Sequence, residues 1–272
     1  MSLLVSQERR ARMMAERFAP SQPAQRELLV SQPDLQALRA KVHKLQGRNK
    51  ELNAFARTVA HDLKSPLGTM VCLASVLHEE FGELPVGERQ KYLEDLVRVA
   101  RKMSNIVDEL LLLAQVSDAQ VQVYPVDMAT VVAAAQERLA FMIKDHGAEI
   151  LLPEAWPAAV GYGPWVEEVW MNYLSNAIKY GGTPPHIELG GELQADGMAH
   201  FWARDNGVGI MLADQARLFK PFAQISSIRA RGHGLGLSVV LDIVTKLGGQ
   251  VGVTSAPGQG STFSFTLPGK SP

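Results

Sequence analysis

Only one cysteine, Cys72, occurs among the 272 residues of this chain. A lone thiol excludes a disulfide framework and any zinc site built on cysteine pairs. Cys72 reads as a small apolar residue of a helix. Long hydrophobic runs are also missing. The longest, of which Leu110 to Ala114 is one, fall far short of the roughly 20 apolar residues that a membrane-crossing helix needs, and the N-terminus lacks a signal-peptide pattern. These absences lead us to expect a cytoplasmic protein with no membrane segment in this chain. Excess charge of one sign is absent too: 27 basic residues stand against 28 acidic ones, a formal net charge of −1, so nothing points to a nucleic-acid partner. The remaining composition, 46% hydrophobic and 20% charged, suits one large domain or two smaller ones, each with its own core. No internal repeat or low-complexity tract is evident.

Residues 1–33 mix Arg9, Arg10 and Arg12 with Pro20, Pro23 and Pro33 and read as a leader, with no recognisable input domain. From there the character changes. Leu35, Leu38, Val42, Leu45, Asn49, Leu52, Ala56, Val59 and Leu63 keep an unbroken three-then-four spacing, the seam of a coiled coil. Asn49 on that seam favours one register and a low oligomer number at some cost in stability. Phe81-Gly-Glu-Leu-Pro-Val-Gly87 breaks the helix, and a second heptad follows at Leu93, Leu96, Ala100, Met103, Val107, Leu110 and Ala114. Two long helices joined by a short turn make a hairpin whose apolar seam it cannot cover alone. Pairing two hairpins in a four-helix bundle covers it, so the expectation for residues 34–120 is an all-α dimerisation hairpin and a homodimer.

The hairpin carries one segment with chemical character, Phe55-Ala-Arg-Thr-Val-Ala-His61-Asp-Leu-Lys-Ser-Pro-Leu67. Counting Ala56 as a and Val59 as d puts His61 at f, away from the seam and exposed. An imidazole nitrogen can accept a phosphoryl group, and the neighbouring Asp62 can accept or orient the other ring proton. Pro66 cannot donate to the carbonyl of Asp62, so the helix is expected to loosen or bend there. His43 and His78 read as surface residues. His146, His186, His200 and His233 lack partners at metal-ligand spacing.

Beyond Asp118, prolines and glycines punctuate shorter elements. The pattern predicts helices over 128–145, 163–181 and 234–247, with strands over 148–152, 185–193, 198–205, 249–255 and 261–267. Residues 121–272 are therefore expected to form an α+β layer with helices over one face of a sheet. Trp165 and Trp170 read as core. Four patches in this half suit one ligand. Asn172, Asn176, Lys179 and Tyr180 fall on one helix face, where amide oxygens are hard ligands for magnesium and lysine is a point charge for phosphate. Asp205-Asn-Gly207-Val-Gly209 follows a strand, and its aspartate can hydrogen-bond an adenine amino group while the glycines let backbone approach. Gly232-His-Gly234-Leu-Gly236 opens a helix, whose first N–H groups favour phosphate. Ala256-Pro-Gly-Gln-Gly260-Ser-Thr262 is a turn between two strands.

In this order the patches resemble the N, G1, G2 and G3 boxes of sensor histidine kinases, and Leu218-Phe-Lys-Pro-Phe222 resembles their F box. The His61 segment resembles the family's phosphoacceptor box: His, acid, aliphatic, basic, small polar, Pro. The resemblance spans about residues 50–268 and implies an α/β sandwich of the Bergerat type after the phosphotransfer hairpin. It implies ATP and Mg2+ as cofactors, with Asn176 as metal ligand and Asp205 as adenine reader. It implies a nucleotide site that includes Asn172, Lys179, Tyr180, Gly207, Gly209, Gly232, Gly234, Gly236 and Thr262. Residues 207–236 would form a lid whose start is anchored by Phe219 and Phe222. The implied reaction is autophosphorylation of His61, followed by transfer to a response-regulator receiver domain. Ser65 stands where the family usually carries Thr or Asn, the residue linked to dephosphorylating that partner. Two alternatives stand beside this one, a Bergerat-type ATPase and a catalytically silent dimeric scaffold. The ATPases carry a glutamate at the place of Asn172, and an amide cannot act as a base toward water.

Overall fold

The structure, a computed structural model, describes residues 32–118, 121–221 and 235–269. The chain divides into two compact units, Met1–Arg57 and Thr58–Pro272. In the first, the described residues 32–57 are helical throughout. Leu38, Val42 and Leu45 of the seam are 56%, 45% and 56% exposed, a stripe that a lone helix leaves to water. These residues open helix α1 (Gln32–Glu79).

In the second unit α1 is helical on both sides of Pro66, whose ring is buried. The Thr69 hydroxyl donates to the Ser65 carbonyl at 3.1 Å. The turn after Glu79 is closed by the Leu84 N–H on the Glu80 carbonyl at 3.0 Å. Arg89 pins it from the far side, donating through Nε to the Leu84 carbonyl at 2.8 Å with its guanidinium 4.7 Å over the Phe81 ring. Helix α2 (Val86–Asp118) completes the hairpin. Here too apolar side chains stay exposed, among them Leu67, Val71, Leu93 and Val97.

The chain then alternates short elements: β1 (Tyr124–Val126), α3 (Met128–Arg138), α4 (Ala140–His146), β2 (Glu149–Leu151), β3 (Ala159–Gly161) and α5 (Gly163–Tyr180). These are followed by β4 (His186–Leu193), β5 (Met198–Asp205), α6 (Leu212–Gln215), α7 (Gly236–Lys246), β6 (Val251–Ser255) and β7 (Ser261–Pro268). The single helix expected over 128–145 is two helices. Leu139 buries its side chain and turns its N–H to both Ala135 and Gln136 carbonyls, ending the first. The antiparallel pair β1–β3 was not expected, because three-residue strands are too short to show a period of two.

The sheet runs β2-β4-β5-β7-β6. β2 pairs parallel to β4, and the other neighbours are antiparallel. Side chains alternate across it. Phe201 and Ala203 of β5, with Phe263 and Phe265 of β7, point into the core, whereas His200, Trp202, Arg204, Thr262 and Ser264 line the other face. Helix α5 carries Pro164 in its first turn, whose N–H groups have no helical partner. It lays Trp170, Tyr173, Leu174 and Ile178 on the inner face. The Trp170 ring meets Phe265 edge-on at 5.3 Å, Tyr173 lies 5.6 Å from Phe263, and Phe201 stacks on Phe265 at 5.2 Å. Such ring pairs add about 0.5–1.5 kcal/mol each beyond their burial. The two polar ends are satisfied: Trp170 Nε1 donates to Met128 Sδ at 3.0 Å and the Tyr173 hydroxyl to the Ser264 carbonyl at 2.9 Å.

The last turns of α2 belong to this same core. Val116 is fully buried there, Leu112 and Leu113 pack beside it, and Lys246 of α7 donates to the Val116 carbonyl. That contact explains why the hairpin beyond Arg57 and the α/β layer form one compact unit. Replacing Trp170 with alanine removes the largest fully buried side chain, and we expect a loss of about 3–5 kcal/mol. Urea unfolding followed by circular dichroism reads it, and a loss below about 1 kcal/mol contradicts the core assignment.

Candidate functional site

On α1 the His61 side chain is 81% exposed and its Nδ1 lies 3.0 Å from Asp62 Oδ1, while the Asp62 side chain is only 20% exposed. The carboxylate is thus held against the helix and the ring stands out from it. With the Nδ1 proton directed to Asp62, the ring has one tautomer and a lone pair on Nε2. Ser65, one helical turn further, is exposed like His61.

The globule supplies a second set of polar groups. On α5, Asn176 Nδ2 donates to Asn172 Oδ1 at 3.0 Å, so the two amides of the stripe act together. The Asn176 amide oxygen takes no hydrogen bond among the described residues. The first residue of α7 touches this pair: a Cβ at Gly236 would stand 1.9 Å from Asn172 Nδ2. Only glycine lets the start of α7 approach the amides so closely. Among the described residues, no group of three His, Cys, Asp or Glu could hold a metal ion. A hard cation at this place would therefore rest on amide oxygen and on the phosphates it accompanies, as magnesium does.

Asp205 closes β5 and is buried, at 7% exposure. Its Oδ1 accepts from the Gly207 N–H at 2.8 Å and the Ser261 N–H at 3.2 Å, whereas Oδ2 has no partner among the described residues. Burial pushes this carboxyl above the usual aspartate range, and the two backbone N–H groups pull it back. Oδ2 is not one of the fully buried side-chain oxygens left without a partner; it stays reachable from solvent, where a ligand N–H such as an adenine amino group can donate to it. The turns around it are locked to each other. Gly209 has φ +71, and a Cβ there would meet the Ala256 carbonyl at 1.9 Å. The Gly258 N–H donates to the Val208 carbonyl at 2.7 Å, and Ser255 Oγ accepts from the Ile210 N–H at 2.8 Å. Gln215 Nε2 donates to both the Ile210 and Ser255 carbonyls at 2.8 Å, fixing the short helix α6 against both turns.

The structure thus brings Asn172, Asn176 and Gly236 together, and Asp205 with Gly207 and the turn after β6. Among the described residues no hydrogen bond or ion pair joins either group to His61. Tyr180 ends α5, and its carbonyl lies against Gly207. Thr262 sits on the outer sheet face, paired with Arg204, and the backbone N–H of Ser261, one residue earlier, reaches Asp205. Phe219 packs against the core; Phe222, Gly232, His233 and Gly234 lie outside the described residues. Sequence reasoning also missed Asn206, Gln215, Ser255 and Glu109. The first lay in plain view inside Asp205-Asn-Gly207, but the other three act through contacts distant in sequence.

Glu109 projects from α2 toward Lys179 of α5. Its Oε2 is buried without a hydrogen bond. Burial pushes the carboxyl up to about 7 from 4.5, with the Lys179 ammonium pulling the other way. Burial likewise lowers the Lys179 pKa, opposed by the charge of Glu109. Below pH 4.5 the proton is held in both folded and unfolded chains. Between there and about 7 the unfolded chain sheds it first, so folding stability falls as pH rises through that window. Glu109→Gln removes this dependence. Thermal unfolding should find the variant equal to wild type near pH 4.5 and more stable at about pH 8. A variant less stable than wild type at the higher pH contradicts the assignment.

Comparison with known proteins fits this geometry. Residues 51–118 match the His Kinase A (phospho-acceptor) domain. Residues 161–271 match the family described as histidine kinase-, DNA gyrase B-, and HSP90-like ATPase, an ATP-binding domain. The chain is 31% identical over 226 residues to cyanobacterial phytochrome B of Nostoc sp., covering 82% of this chain and 30% of that protein. It is 29% identical over 233 residues to the methanogenesis regulatory histidine kinase FilI of Methanothrix harundinacea, covering 85% of this chain and 26% of that one. It therefore spans under a third of the length of these curated relatives. Two solved structures share the fold. One is the histidine kinase AdeS of Acinetobacter baumannii, with TM-score 0.62, 20% identity, and 78% of this chain and 98% of that one covered. The other is the histidine kinase ThkA in complex with response regulator protein TrrA, with TM-score 0.65, 16% identity, and 84% and 65% covered. With a phosphoacceptor hairpin and an ATP-binding domain matched in tandem over more than half of its length, the chain belongs to the sensor histidine kinase family.

Proposed function

We propose that this chain is an ATP-dependent protein-histidine kinase that phosphorylates its own His61 and passes the phosphoryl group to an aspartate of a response-regulator receiver domain. The observation that carries the reading is the His61–Asp62 pair, an outstanding ring whose Nδ1 is held 3.0 Å from a half-sheltered carboxylate. Asp62 keeps the Nδ1 proton, and Nε2 is the nucleophile. The new bond joins Nε2 to the γ-phosphorus, the bond to the β–γ bridging oxygen breaks, and ADP leaves with that electron pair. The proton stays between Nδ1 and Asp62, whose negative charge offsets the positive charge of the substituted ring.

In this reading Asp205 takes the adenine amino group on Oδ2, and the backbone of Gly207 and Gly209 lies along the base. Asn172, Asn176, Lys179 and Tyr180 hold the polyphosphate, with the start of α7 at Gly236 and the preceding Gly232 and Gly234. The Ser261 N–H supports Asp205, and Thr262, the next residue, belongs to the same proposed nucleotide site. Magnesium on the Asn176 amide oxygen would neutralise phosphate charge. Asn172 supports transfer over hydrolysis, since an amide cannot deprotonate water. Ser65 offers a hydroxyl beside the phosphorylated ring when the partner domain docks. We assign residues 34–120 to dimerisation and phosphotransfer and 121–272 to nucleotide binding, a division that the two matched ranges support. The exposed seam residues of α1 and α2 support a homodimer, and ThkA bound to TrrA supports a receiver-domain partner. An ATP-consuming relay of this kind belongs in the cytoplasm.

Incubation with γ-labelled ATP tests the reading. Wild-type protein should take up an acid-labile label that His61→Gln abolishes and Asp62→Asn slows at least about tenfold. Label retained in His61→Gln, or free phosphate released without labelling, overturns it.

A further inference from the structure

Asn206 stands between the proposed adenine reader and Gly207, and its side chain faces away from both, toward the loop that follows α5. Its Oδ1 accepts two backbone N–H groups, Gly182 and His186, each at 2.9 Å. Its Nδ2 donates to the Pro184 carbonyl at 3.2 Å. The amide lies flat on the loop: a Cβ at Gly182 would stand 2.6 Å from Nδ2. The next residue grips the end of α5 itself, since a Cβ at Gly207 would meet the Tyr180 carbonyl at 2.1 Å.

The loop's other ties lie at Pro185, which is buried and whose carbonyl accepts the Glu149 N–H at 2.9 Å. Pro184 and Pro185 have no N–H, and two of the N–H groups flanking them are those that Asn206 takes. The body of α5 is fixed by Trp170, Tyr173, Leu174 and Ile178 in the core. Its last turn, with Lys179 and Tyr180, runs straight into this loop. Asp205 does not depend on Asn206 in the same way, because Gly207, Ser261 and the β4–β5 pairing hold it independently.

The geometry points to Asn206 as a positioning residue that sets the phosphate-facing end of α5 relative to Asp205. The inference rests on the kinase reading above and gives that site a residue which neither touches nucleotide nor forms the core. Loss of the amide releases the last turn of α5 and leaves the base end intact. Phosphoryl transfer is sensitive to such displacement, because small misplacements of a positioned group cost large factors in rate. Base recognition should barely change.

The test is the initial rate of labelling of the full chain with saturating γ-labelled ATP, with GTP as competitor and thermal unfolding in parallel. Asn206→Ala should lower the labelling rate constant about tenfold or more while the preference for ATP over GTP stays within about threefold of wild type. Asn206→Asp keeps an acceptor for Gly182 and His186 and should recover most of the rate. Three results overturn the inference: Asn206→Ala at the wild-type labelling rate, an aspartate variant no better than alanine, or a rate loss matched by collapse of selectivity and of thermal stability. Wild-type protein that takes no label is a different failure, since it removes the kinase reading itself.

Discussion

A carboxylate that is buried and yet half satisfied organises the nucleotide half of this molecule. Taking an aspartate out of water is costly unless its oxygens find donors. Here one oxygen of Asp205 receives two backbone N–H groups, one from the turn at Gly207 just beyond it and one from Ser261, at the end of a turn and 56 residues further along the chain. Those turns can meet only because glycines let their backbones touch, and because Ser255 and Gln215 tie them across the gap. In the proposed reading the second oxygen takes the ligand. The site is thus pre-organised in the sense that the cost of holding the charge is met by folding, before any nucleotide arrives.

The hairpin is built on different physics. Its helices expose an apolar seam that the proposed dimer would cover, whereas its one proposed reactive group stands clear of that seam. The two parts meet where α2 enters the globular core. Val116 and the Lys246 contact anchor the helix there, and Glu109 brings a carboxylate up to Lys179, the cation that the proposed transfer needs. A charge shared between the hairpin and the nucleotide stripe makes the two halves electrostatically dependent on each other.

Much of this was legible from residues alone, for identifiable reasons. The heptads fixed both hairpin helices and the outward placement of His61, since a period of 3.5 survives over many turns. Strand β5 and helix α5 were found almost to the residue, because glycine and proline bound them on both sides. What failed was short or set by tertiary contact. β1 and β3 are too brief to show periodicity, and the break at Leu139 follows from tertiary burial with no sequence punctuation. The Ser261 N–H on Asp205 was not legible, since it joins residues 56 apart in the chain. Glu109 and Gln215 had no sequence signal, because their partners are set by the fold.

The unpartnered oxygen of Asp205 is the point on which the account turns, and calorimetric titration of magnesium–ATP into the full chain tests it. Wild-type protein should bind, and Asp205→Asn, which puts an amide donor opposite the adenine amino group, should bind at least about 100-fold more weakly, a loss near 2.7 kcal/mol. Equal affinity in the two proteins would contradict the assignment of that oxygen to the base.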